Sequence, residues 1–259
     1  MGTQRIEING KPATVEQLAH PAIANYGHFT AMQVRGGAVR GLDLHLARLD
    51  SATRELFATG LDGGLVRVHI RHALGADTAD ASVRVGVFQP DGDESPSVMA
   101  VVRPPAEPPI APQHLTAVPY QRPVAHLKHV GSFGQIYYGR AAELAGFDDA
   151  LLTGPGGVIA ESAIANIGFF DGNTVIWPDA PALAGITMQL VTRVLAERGL
   201  PPRHDAVRIA DLPSFRSVFI TNSLGVASVE RVDDQILPID TEFMKILATA
   251  YESVPWDRI

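Results

Sequence analysis

A chain of 259 residues with 46% hydrophobic and 19% charged residues can bury one large core or two modest ones, which excludes a disordered chain. A formal charge of −7 without a Lys/Arg cluster argues against a nucleic-acid partner, because binding phosphates needs a basic surface. The absence of cysteine removes disulfide scaffolds, thiolate metal sites and cysteine nucleophiles together.

The N-terminal MGTQRIEINGKPATVEQ lacks the apolar core of a signal peptide. No run approaches the roughly eighteen apolar residues that span a bilayer, so the expectation is a soluble, cytoplasmic protein with no membrane association. RIEINGKPA reads as a strand ending in an Asn9-Gly10 turn. HFTAMQVRGGAVRG suggests two strands around Gly36-Gly37. LDLHLARLDSATRELFATG follows, with Leu44, Leu49 and Leu56/Phe57 spaced for an amphipathic helix that Gly60 would stop. GLVRVHIRHALG fits either strand or helix. ASVRVGVFQ and SVMAVVRP alternate as strands do, across a polar turn at PDGDESP.

RPPAEPPIAPQ, residues 103–113, has five prolines in eleven residues. Such a stretch cannot form a helix or a central strand and reads as an extended connector. It divides the chain into a smaller N-terminal domain, 1–108, and a larger C-terminal domain, 109–259. HLTAVPYQ then reads as a strand and FGQIYYGRAAELAGF as a helix ending at Gly146. DALLTG, VIAES, IGFFDG and TVIW are short strands between Gly-rich turns. ITMQLVTRVLAERGL is a second clear helix, ending at Gly199. DAVRIADL, SVFITNS, GVASVERV and a C-terminal helix, IDTEFMKILATAYE, complete an α+β chain of two domains.

Lysine occurs only at positions 11, 128 and 245. Lys128 lies in VAHLKHVGSFG beside His126 and His129. Desolvation and neighbouring positive charge lower a lysine pKa, the condition imine chemistry needs; a surface lysine at a strand end is the plainer reading. Glu161 stands alone in LLTGPGGVIAESAIANIGFF, and an acid among apolar strand residues either faces outward or pairs with a buried cation. Asn166 can bond to backbone or reach a ligand. Gly185-Ile186-Thr187 precedes a helix, where N–H groups and a hydroxyl can face an anion, and Thr221-Asn222-Ser223 before Gly225 is a second nest of donors. Arg48, three residues after His45, can supply charge. His45 and Asp43 can pair, yet a solvated helix N-terminus explains both. His69 and His72 belong to no zinc motif, and no serine occupies a nucleophile elbow.

These segments, taken together, resemble the fold-type IV pyridoxal-phosphate enzymes, the class IV aminotransferase family. That family includes branched-chain and D-amino-acid aminotransferases and aminodeoxychorismate lyases. The similarity starts at GHFTAMQVRGGAVRGLDLHLARL and resumes at LKHVGSFGQIYYGRAAELAGFDDALLTGPGGVIAESAIANIGFF. It continues through LAGITMQLV and FITNSLGV. The resemblance implies a two-domain D-amino-acid aminotransferase-like fold, a pyridoxal 5′-phosphate cofactor and a homodimer. Lys128 matches the lysine that forms the internal aldimine and shuttles the α-proton. Glu161 matches the acid that keeps the pyridine nitrogen protonated. Arg48, Ile186 and Thr187 match the phosphate-binding groups, with Asn222 and Ser223 as the second nest. Asn166 matches an asparagine expected to shape the site, and Phe29 matches a substrate-facing position.

The chain departs from the family at three places. Met188 replaces the usual arginine after Gly-Ile-Thr, and Asn25-Tyr26-Gly27 lacks the usual aspartate. Val83-Arg84-Val85 lacks the Arg-Gly pattern of several subfamilies; Arg84 either binds a substrate carboxylate or faces outward. The implied activity is transfer of an amino group between an amino acid or amine and a 2-oxo acid. The alternative is aminodeoxychorismate lyase, which eliminates pyruvate to give 4-aminobenzoate, and a non-enzymatic relative is the third reading. Neither a metal nor a nucleic acid is expected.

Overall fold

In the computed structural model, which describes residues 4–259, β1 (Arg5–Ile8) turns at Asn9 and Gly10, both at positive φ, into β2 (Lys11–Pro12). Helix α1 (Val15–Ile23) opens on a capping box in which Thr14 and Gln17 satisfy each other's backbone N–H groups. Strands β3 (His28–Val34) and β4 (Ala38–Arg40) flank Gly36-Gly37. Among the described residues the Arg35–Ala38 bridge alone links them before the chain turns into α2 (Leu42–Phe57). That helix ends at Ala58, itself left-handed at φ 54°, two residues before the glycine expected to stop it. GLVRVHIRHALG resolves as helix: α3 (Gly63–Leu74) is capped by the Asp62 carboxylate and released by Gly75 at φ 69°. Strands β5 (Ala81–Phe88) and β6 (Ser97–Arg103) complete a five-stranded sheet of order β2-β1-β6-β5-β3.

These elements belong to the first of two compact units, which runs to Glu107 and also takes in Leu127–Gly131 and Pro255–Ile259. Its core lies on one face of the sheet, where Met32, Val34, Val83 and Val85 meet Leu49, Val66 and Ile70 from the helices.

The second unit comprises Pro108–His126 and Ser132–Val254. After the proline-rich stretch come β7 (Gln113–Pro119), α4 (Phe133–Leu144), β8 (Asp149–Thr153), β9 (Ile159–Ser162), β10 (Asn166–Phe170) and β11 (Val175–Pro178). Then follow α5 (Ile186–Glu197), β12 (Arg203–Asp205), β13 (Ser217–Asn222), β14 (Gly225–Val232), β15 (Gln235–Ile236) and α6 (Thr241–Glu252). Within DAVRIADL, only Asp205 is in a strand; Ile209–Ser214 forms a 3-10 turn opened by the Asp211 carboxylate on the Arg208 N–H.

The hydrogen-bonded path β10-β13-β14-β7-β8-β9 has its two ends joined by the turn at 163–165. The sheet must therefore curl towards closure. Leu115, Leu151, Ile159, Ile167, Ile220 and Val229 fill its inside. Trp177 and Phe219 pack outside against Val191 of α5 and Phe243 of α6. The last strand, β16 (Trp256–Arg258), pairs with β4 in the first unit. Among the described residues no helix is long and apolar enough to cross a membrane.

Candidate functional site

Strand alternation alone would send Glu161 inward with Ile159, two residues before it. A register shift intervenes: Leu152 pairs with Glu161, but Thr153 pairs with Ile159. Leu151 and Leu152 lie in different clusters, the interior one and the one beneath α4. Since paired residues share a face, Glu161 shares Leu152's face and points out of the barrel. Bulges re-aim side chains in this way beside functional sites. Outside the barrel Glu161 is still buried, and Arg122 is its partner. Arg122 Nε donates to Glu161 Oε1 at 2.9 Å, and the two side chains are 4% and 9% exposed. A second guanidinium nitrogen of Arg122 donates to the Ala125 carbonyl. Of the two alternatives for this acid, the pairing with a buried cation is the one realised.

The other oxygen of Glu161 accepts the Leu183 N–H at 3.2 Å, and Asn166 Nδ2 donates to the Leu183 carbonyl at 2.6 Å. Two residues later Gly185 stands at the N-cap of α5 with no side-chain cap. A Cβ there would lie 1.8 Å from Asn166 Oδ1, so any larger residue must push that amide aside. The N–H groups of Ile186 and Thr187 begin the helix with no helical carbonyl to bond, and the helix dipole favours an anion there. Thr187 Oγ1 donates to the Asn222 carbonyl at 2.6 Å, which ties the helix start to the end of β13. Asn222 Oδ1 accepts the Leu224 N–H at 2.8 Å and closes the turn containing Ser223. Thr221, opposite Asn166 in register, is 1% exposed. Its Oγ1 finds no hydrogen-bond partner among the described residues. An uncapped helix start and an orphaned hydroxyl on Asn166's face, with a carboxylate reached through Leu183, fit a ligand that carries a phosphate and a protonated ring nitrogen. Met188 packs against the cluster around Trp177 and Phe219, so the residue that replaces arginine serves the core.

The remaining expected residues lie in the first unit. The segment bearing Lys128 runs beside the start of β3: the Phe29 N–H donates to the Lys128 carbonyl at 2.9 Å and the Val130 N–H to the Gly27 carbonyl at 3.0 Å. Lys128 Nζ stands 5.0 Å from the centre of the Phe29 ring, and the Arg84 guanidinium lies 3.5 Å from the same centre. Ala31 pairs with Arg84 and Phe29 with Gly86, so these side chains share one face of the sheet, opposite the helices. Desolvation, then the charge of Arg103, lowers the Arg84 pKa.

Arg48 is half-buried on α2. One turn before it, His45 is 3% exposed, which overturns the solvated reading of that residue. Its Nδ1 lies 2.6 Å from Thr30 Oγ1. Burial, then the charges of Arg48 and Lys128, pull its pKa down to about 3, so the ring is neutral at physiological pH. Sequence reasoning missed Arg122 and misread His45 as solvated. The signal for Arg122 was the lone acid itself, which needs a cation once buried.

The class IV amino-transferase family model matches residues 27–232. A probable branched-chain-amino-acid aminotransferase of Rickettsia felis (strain ATCC VR-1525 / URRWXCal2) is 30% identical over 96 residues, 36% of this chain and 33% of that protein. Its counterpart in Rickettsia typhi (strain Wilmington) is 28% identical over 117 residues, 43% of this chain and 41% of that protein. The chain thus matches less than half the length of these curated relatives. Solved structures extend the likeness in fold. A hypothetical aminotransferase from Mycobacterium tuberculosis, in its apo form, superposes with a TM-score of 0.86 at 19% identity, covering 97% of this chain and 98% of that one. The branched-chain aminotransferase of the archaeon Thermoproteus uzoniensis does so with a TM-score of 0.81 at 17% identity, covering 96% and 93%. A putative 4-amino-4-deoxychorismate lyase from Legionella pneumophila gives 0.81 at 18%, covering 91% and 93%. With its family model spanning residues 27–232 and its fold shared along nearly the whole length, the chain belongs to the class IV amino-transferase family.

Proposed function

We propose that this protein is a pyridoxal-phosphate-dependent aminotransferase that moves an amino group between an amino acid or amine and a 2-oxo acid. The observation that carries the reading is the buried Arg122–Glu161 pair, tied through Leu183 to the uncapped start of α5. This arrangement suits a ligand with a protonatable ring nitrogen and a phosphate. When bound, the cofactor supplies an electron sink for the carbanion left at the substrate Cα. Glu161, oriented by Arg122, holds the proton at the ring nitrogen. Lys128 would hold the cofactor and would move the proton at the substrate Cα. Arg48, the N–H groups of Ile186 and Thr187, and the turn at Asn222 and Ser223 hold the phosphate. Phe29 and Arg84 face the substrate, with Arg84 receiving a carboxylate.

A homodimer in the cytoplasm belongs to the same reading. Phe133, Ile136, Tyr137 and Leu144 leave an exposed apolar stripe along α4, spaced for one helix face. A surface of this kind suits a second copy of the chain.

An absorbance spectrum of the protein with pyridoxal phosphate tests the proposal. A yellow band lost in Lys128→Ala, then bleached by an amino acid with release of a 2-oxo acid, is the expected result. Release of pyruvate and 4-aminobenzoate from aminodeoxychorismate would assign the lyase activity instead. No band at saturating cofactor would refute both.

A further inference from the structure

Glu161 and Asn166 leave consecutive strands and grip the same residue: Leu183 gives its N–H to Glu161 and takes a proton donor from Asn166 on its carbonyl. The strands are joined by a turn that is itself pinned. Ser162 Oγ accepts the Ala165 N–H at 2.9 Å, and buried Asp149 accepts the Ile164 N–H at 3.3 Å and the Ser162 hydroxyl. On the far side of Leu183 the chain has one residue before Gly185, whose backbone lies so close to Asn166 that a Cβ would collide with its amide oxygen. A short, rigid path therefore runs from the Glu161 carboxylate through Leu183 to the first N–H groups of α5.

Building on the cofactor reading above, we infer that Asn166 is a positioning residue that sets the distance between the carboxylate and the helix N-terminus. Through it the site selects a ligand whose cationic ring N–H and phosphate are rigidly joined at one separation. Asn166 needs no contact with the ligand to do this. Each end of the site recognises its own group, and Asn166 decides whether one molecule can satisfy both at once. Loss of the spacer costs the advantage of linking the two groups, not the recognition of either.

Three probes without the reactive aldehyde separate these contributions: pyridoxine 5′-phosphate, pyridoxine and inorganic phosphate. Their dissociation constants are measured by calorimetry on the wild-type protein and on Asn166→Ala. We expect Asn166→Ala to weaken pyridoxine and phosphate each by less than about threefold, and pyridoxine 5′-phosphate by at least about tenfold more than the product of those two effects. A loss for the whole ligand equal to that product overturns the inference. Gly185→Ala guards against misfolding of the first variant, because its methyl group displaces Asn166 from the opposite side and must give the same pattern. Wild-type protein that binds none of the three probes refutes the cofactor reading and the spacer with it. Wild-type binding with independent losses refutes the spacer alone.

Discussion

Removing Arg122 should destabilise the second unit by far more than a surface charge would. The pair is 2.9 Å apart with both side chains almost fully buried. At an effective dielectric of about 20, charges about 4 Å apart attract by roughly 4 kcal/mol. Breaking such a pair costs about 3–5 kcal/mol, because the remaining charge is left without compensation. Arg122→Met keeps much of the volume and, among the described residues, leaves Glu161 only the Leu183 N–H. The protein has two tryptophans: Trp177 is fully buried against Phe219 in the second unit, and Trp256 lies in the C-terminal strand. In a Trp256→Phe background, urea unfolding followed by fluorescence reads the second unit through Trp177. Arg122→Met and Glu161→Gln should each lower stability by about 3 kcal/mol or more. The double variant should recover most of that loss, since it leaves no bare charge. A single-variant loss under about 1 kcal/mol, or a double-variant loss equal to the sum, would refute the reasoning.

The other expectations concern packing, pH and capping. Gly168→Ala would place a Cβ 2.4 Å from Phe219 and 2.7 Å from Trp177; overpacking should cost about 1–3 kcal/mol and alter Trp177 emission. Burial lowers the pKa of His28 from 6.5 to about 4 and that of His45 from 6.5 to about 3, the latter also through Arg48 and Lys128. A histidine whose folded pKa lies below its unfolded value contributes stability fully present above pH 6.5. That stability drains as pH falls towards the folded values, by up to about 1.4 kcal/mol per pH unit for each ring. Urea midpoints should therefore drop between pH 7 and pH 4, and His28→Gln with His45→Gln should flatten the profile. Asp257 Oδ2 accepts the Leu42 N–H at 3.0 Å at the start of α2, where Gly41 has no side chain to cap it. Asp257→Ala should cost about 1 kcal/mol in thermal unfolding, and Asp257→Asn should restore most of it.

Local signals in the sequence served well wherever the physics is local. Asn9-Gly10, Gly146 and Gly199 all sit at positive φ where turns or helix ends were expected, because only the backbone at that point decides. Sequence reading gives no helix at α1 although Thr14 and Gln17 carry a capping box; Pro21 lies inside it and none of its residues is fully buried, so no strong apolar stripe marks it. Ala58 rather than Gly60 ends α2, where Gly60 lies against the Arg54 guanidinium. Strand β16 has three residues and a partner more than two hundred positions away, so nothing near it marks it. The acid at 161 was visible as an oddity, but the bulge that turns it outward depends on its pairing with β8. Its cation came from a stretch, Tyr120-Gln121-Arg122-Pro123, with no pattern of its own. His45 followed the same rule: the covering that makes it neutral is tertiary.

The return of the chain to β4 has a kinetic consequence. Asp257 and Leu42 are 215 positions apart, and closing a flexible loop of that length costs roughly 5 kcal/mol in chain entropy. Folding of the second unit shortens that loop to about 70 residues and removes about 1 kcal/mol of the cost; folding of residues 42–107 removes most of the rest. A Cβ at Gly225 would lie 3.8 Å from Pro108 and 3.4 Å from Tyr251, so the unit brings its own entrance and exit to one place and, once residues 42–107 have folded, leaves only short tethers to close. The second unit should therefore fold ahead of the docking of β16. Loosening it at a distance should slow completion of the first unit even where no residue of the first unit has changed.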